Sequence, residues 1–101
     1  MMLPPNLIDF LQKIINKTNA GELRWNFDPV NSLIFIRDKD FNMDVSYNFN
    51  EIKEIGEFSI SYQSRESPTY RFFTDQYAEK EYELLQRLFN AAQGSEAAFP
   101  F

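Results

Sequence analysis

Between Phe41 and Phe49 the chain alternates without a break. Phe41, Met43, Val45, Tyr47 and Phe49 are apolar or aromatic, and Asn42, Asp44, Ser46 and Asn48 between them are polar. Successive side chains of a strand point to opposite faces, so this segment fits a strand with one covered face and one face open to water or a partner. A helix would scatter the same five large side chains around its circumference. The period recurs at Phe58, Ile60 and Tyr62, which alternate with Ser59, Ser61 and Gln63, and at Leu23, Trp25 and Phe27. The chain must therefore build a sheet that is greasy on one side and must supply something to cover that side.

The cover lies at the two ends. After Pro4-Pro5, the residues Leu7, Ile8, Phe10, Leu11, Ile14 and Ile15 recur at the spacing of a helix with one buried stripe, with Asn6 placed to cap it and Gly21 to close it. A second stripe comprises Ala78, Tyr82, Leu85, Leu88, Phe89 and Ala92, in a helix expected from Thr74 or Asp75 to about Gln93. Gly94 is its expected stop, and Glu79, Glu81 and Glu83 its expected solvated face. Turn residues punctuate the middle of the chain at 28–32, at Asp38-Lys39-Asp40, around 50–56 and at 65–68. Connections this short favour sequential hairpins. The expected architecture is an α+β two-layer sandwich: an N-terminal helix, a meander of about five antiparallel strands and a C-terminal helix, with both helices on one sheet face. Residues 1–94 are expected to form a single domain and 95–101 a tail. Phe99 and Phe101 in that tail are apolar enough to dock on the domain or on a neighbouring chain.

Composition narrows the chemistry. The 101 residues include no Cys and no His, which removes disulfides, thiolate nucleophiles, imidazole bases and the usual zinc ligands. Ten Lys and Arg stand against 15 Asp and Glu, a net charge of -5. Phosphate backbones and anionic lipid surfaces attract the opposite sign, so neither nucleic acid nor membrane is an expected partner. No basic, apolar leader opens the sequence, and the expected compartment is the cytoplasm.

Asp38–Asp44 resembles the start of a calcium loop, but Met43 stands where such a loop needs Gly and Phe49 where it needs a bidentate Glu. Ser64 and Ser67 have no His to activate them, and the three isolated glycines write no phosphate-cradling loop. Neither an enzyme, a metal site nor a cofactor is expected.

Two stretches carry a resemblance. Lys17-Thr18-Asn19-Ala20-Gly21-Glu22-Leu23-Arg24-Trp25 resembles a "KT-x-x-G-x-L-x-W" junction between an opening helix and a first strand, and Leu85–Ala92 resembles an apolar closing helix. Both are similar to a loose group of short bacterial and mobile-element-associated proteins of unknown function. The resemblance implies the fold and carries no activity.

The remaining signal is the reverse of the sheet. Leu33-Ile34-Phe35-Ile36 is apolar throughout. With Leu33 and Phe35 facing the helices, Ile34 and Ile36 would stand on the open face among Asn42, Asp44, Ser46, Asn48, Ser59, Ser61 and Gln63. Phe73 joins them if Tyr70 and Phe72 point inward. A polar sheet face with a small apolar centre suits a protein partner or a second copy of the chain. The expected function is therefore a non-catalytic interaction module, self-associating through this face or through an edge strand. The alternative is an acidic neutraliser of a basic protein, such as an immunity protein or a secretion chaperone.

Overall fold

The computed structural model describes residues 3–97. Its elements run α1 (Pro5–Asn19), β1 (Asn26–Asp28), β2 (Leu33–Arg37), β3 (Phe41–Asn50), β4 (Ile55–Ser64), β5 (Tyr70–Asp75) and α2 (Glu79–Glu96). The sheet order is β1-β2-β3-β4-β5, and every neighbouring pair is antiparallel. This is the expected meander. The helices lie on one side of it, with α2 against β1, β2, β4 and β5 and α1 packed on α2. Phe10 carries α1 onto the sheet, edge-on to Phe41 and Tyr62.

The core fills the space between the layers. Leu7, Leu11, Ile14 and Ile15 come from α1, Leu84, Leu85, Leu88 and Ala92 from α2, and Met43, Val45, Phe58 and Ile60 from the two central strands. Trp25, just before β1, is 1% exposed and closes the core at that side. Its indole N–H donates to the Thr18 hydroxyl, which donates in turn to the Ile14 carbonyl. Gly21 (φ 80°) reverses the chain between them. Thr18, Gly21 and Trp25 of the "KT-x-x-G-x-L-x-W" stretch thus act together as one structural clasp.

The helix ends depart from expectation. Helix α1 starts at Pro5, not after Asn6, because proline needs no N–H partner in a first turn and its φ suits a helix. Asn6 Oδ1 accepts the next residue's N–H instead of capping the helix. Helix α2 starts at Glu79, since Thr74 belongs to β5 and the chain turns through 76–78. It passes Gly94 and ends at Glu96, beyond the domain limit expected at residue 94. Ser95 secures this last turn, its hydroxyl accepting from the Trp25 amide and donating to Ala92 O. The Phe99-Pro100-Phe101 tail lies outside the described residues.

Glu81 is not part of a solvated face. It is 7% exposed and sits in the first turn of α2, where the helix dipole favours an anion. Its carboxylate accepts the Leu3 backbone N–H (2.9 and 3.0 Å to its two oxygens) and the Thr74 hydroxyl (3.0 Å). The spacing to Leu85, Leu88 and Ala92 places it on the buried stripe. That signal was present in the sequence, but the charge of the side chain outweighs it in a reading by hydropathy.

Candidate protein-binding surface

Directly opposed residues of neighbouring strands share a face, so the register fixes what the uncovered side presents. One row across the sheet reads Asp28, Leu33, Ser46, Ser59 and Phe73, and the next reads Asn26, Phe35, Asp44, Ser61 and Arg71. Asn42 and Gln63 continue the surface at one end, and Asn48 and Glu57 at the other. Asn42, Asp44, Ser46, Asn48, Ser59, Ser61, Gln63 and Phe73 are therefore brought together on the open face, as their alternation indicates.

Ile34 and Ile36 are not. They pair with Val45 and Met43 and are 0% and 4% exposed, on the covered side; Leu33 and Phe35 take their place outside, half-buried. The cause is the turn. Arg37 opposes Asn42, and the Asp38 N–H reaches Phe41 O, leaving a two-residue loop of Lys39 and Asp40. A three-residue turn over 38–40 would oppose Arg37 to Phe41 and shift the pairing by one. Such a shift sends every side chain of a strand to the other face.

The surface has relief. Its floor is small and polar along the two central strands, where the Ser46 and Ser59 hydroxyls lie 2.7 Å apart. Leu33 and Phe35 rise on one side and Phe73, 52% exposed, on the other. Strands are spaced by ~4.8 Å, so three spacings set these walls roughly 14 Å apart. Arg37 lies over the Phe35 ring, 5.1 Å from its centroid, and is ion-paired with Asp44. Beside Phe73, a shallow depression of about 430 Å³ is bounded by Asn48, Lys53, Glu57, Ser59 and Asp75. Leu33, Phe35, Glu57, Arg71 and Asp75 are among the members of this surface that periodicity did not single out. They become visible once the hairpin registers are fixed.

Two clefts open on the helical side. One, of about 410 Å³, is apolar and lies at the end of β5, between Leu7, Phe10, Tyr62, Tyr70 and Phe72. The other, of about 310 Å³, is lined by Tyr47, Tyr82 and the amides of Gln86, Asn90 and Gln93. Burial, then the hydrogen bond and charge interaction with Tyr47, push the Tyr82 hydroxyl up to about 12. A Cβ at Gly56 would collide with both hydroxyls, so this position admits only glycine without rearrangement. Among the described residues, no cluster of three acidic side chains has the geometry to hold a metal ion, and no helix is long and apolar enough to cross a membrane.

No family model, curated protein or solved structure matches this chain. The surface must be read from its own chemistry.

Proposed function

We propose that this chain is a small non-catalytic protein–protein interaction module that self-associates through the uncovered part of its sheet. The observation that carries the reading is that, among the described residues, no element covers the outer face of the sheet or pairs with the free edge of β5, with Phe73 exposed and Leu33 and Phe35 half-buried in a polar surround. Apolar anchors within a rim of hydrogen-bonding groups are the usual make-up of a protein interface. The size of the chain and its lack of Cys and His fit a module whose role is binding.

Sedimentation velocity over a concentration series tests this. The mass is expected to rise with concentration above that of one 12.0 kDa chain. Phe73→Ser is expected to lower association about tenfold or more while leaving the circular dichroism unchanged, because an exposed aromatic at an interface centre carries binding and little folding energy. A single-chain mass at every concentration, with binding to basic proteins that disappears at high salt, would overturn the reading in favour of an acidic neutraliser.

A further inference from the structure

We infer that the free edge of β5 pairs antiparallel with the same edge of a second copy of this chain, in the register that sets Phe73 opposite Phe73. This rests on the self-association reading and names the strand and register that perform it.

The two edges of the sheet differ. β1 is three residues long and is followed at once by Pro29, and the amide of Trp25 just before it is taken by Ser95. A short edge of this kind offers little to a pairing strand. β5 has six residues, Tyr70–Asp75, and contains no proline, no lysine and no bulge in its pairing with β4.

The direction of its backbone groups follows from the register. The Gln76 amide donates to Gly56 O at 3.1 Å, in line with the β4–β5 pairing. Backbone groups alternate sides along a strand, so Thr74, Phe72 and Tyr70 also address β4, and Arg71, Phe73 and Asp75 address the free edge. Of these three residues only Asp75 has a backbone group engaged in a turn, its carbonyl accepting from the Ala78 N–H. The Asp75 carbonyl keeps a second lone pair, so among the described residues it and the other edge groups form a template for a further strand.

Pairing two identical strands about a two-fold axis makes each residue meet the same set on its partner. With the axis at Phe73, the outward-facing groups of both strands meet in hydrogen-bonded pairs. Arg71 of each copy then lies opposite Asp75 of the other, twice over, on the open face, with the two Phe73 rings between the charge pairs. Moving the axis to Arg71 or to Asp75 would instead set like charges against each other. On the covered side Phe72 would meet Thr74 of the second copy, next to the apolar cleft at Tyr62 and Tyr70. The result is one sheet continuous through both copies, with all helices on the same face.

The experiment is a charge exchange read by sedimentation equilibrium on the full chain. Arg71→Asp and Asp75→Arg are each expected to weaken the dimer about tenfold or more, because each converts two cross-strand attractions into repulsions. An equimolar mixture of the two variants is expected to regain wild-type affinity as a mixed dimer, since every opposed pair is again of opposite sign. Asp75 also accepts the Tyr77 N–H and so shapes the turn into α2, so a second measurement avoids it. The chain has no native cysteine, and Phe73→Cys, at a protein concentration raised about tenfold or more to offset the lost ring, is expected to oxidise to a disulfide-linked dimer. Directly opposed hydrogen-bonded residues have Cα atoms ~5.5 Å apart, within the range that a disulfide spans. Asn48→Cys, on the same face but away from the edge, is expected to stay unlinked. A dimer indifferent to both charge changes, a mixture no tighter than its components, or failure of Phe73→Cys to cross-link would overturn the register and leave self-association standing. A wild-type chain that is monomeric throughout would overturn both.

Discussion

Ile34→Ala is expected to lower stability by about 2–5 kcal/mol, on the order of 10–30 °C in melting temperature for a domain of this length, whereas Leu33→Ala next to it is expected to cost about 1 kcal/mol or less. The contrast follows from burial. Ile34 is fully buried opposite Val45, so truncation leaves a cavity that the two layers cannot collapse to fill. Leu33 is half-buried opposite Ser46 on the open face, where water replaces the lost methyl groups. Urea denaturation of the two variants decides it. Equal losses, or a larger loss for Leu33, would mean that β2 is turned the other way and that the outer surface described above is wrong.

The second large effect is expected at Trp25. Trp25→Ala removes the largest fully buried side chain and is expected to cost about 3–5 kcal/mol, a large fraction of the roughly 5–15 kcal/mol that holds an ordinary domain folded. Thr18→Val isolates the polar part of the effect. It keeps the packing but withdraws the acceptor of the indole N–H, which leaves a buried donor unpaired at a cost of about 1–3 kcal/mol. Trp25 is the one tryptophan of the chain, so its fluorescence follows the unfolding of Thr18→Val directly and circular dichroism follows Trp25→Ala. A Trp25→Ala protein as stable as the wild type would remove the clasp of Thr18, Gly21 and Trp25 from the account of the fold.

Much of this architecture is legible in the sequence because period is a direct consequence of geometry. The strict alternation of 41–49 fixes both the existence of β3 and its covered face. The stripes at 7–15 and 78–92 fix two helices with one apolar side each, and a sheet with one greasy face leaves them one place to pack. The phase of β2 was not legible for the same reason that its existence was. Leu33, Ile34, Phe35 and Ile36 are all apolar, so alternation says nothing about which pair faces in, and the decision passes to whether the 38–40 turn spends two residues or three. The turn around 50–56 is set by backbone conformation. Asn50 accepts the amides of Ile52 and Lys53, Glu54 adopts a φ of 57°, and Ile55 can then begin β4 while Ile52 stays exposed. The charge-complementary edge of β5 is invisible in one dimension, because Arg71, Phe73 and Asp75 acquire meaning only once Gln76 and Gly56 show which residues direct their backbone outward.

Amide hydrogen exchange of the wild-type chain at low and high protein concentration tests the self-pairing edge most directly. Phe72 and Thr74 donate within the sheet and should be slow at both concentrations, while Arg71 and Phe73 should exchange fast when dilute and become protected as the mass doubles. Fast exchange at Arg71 and Phe73 in a sample that sediments as a dimer would contradict the account.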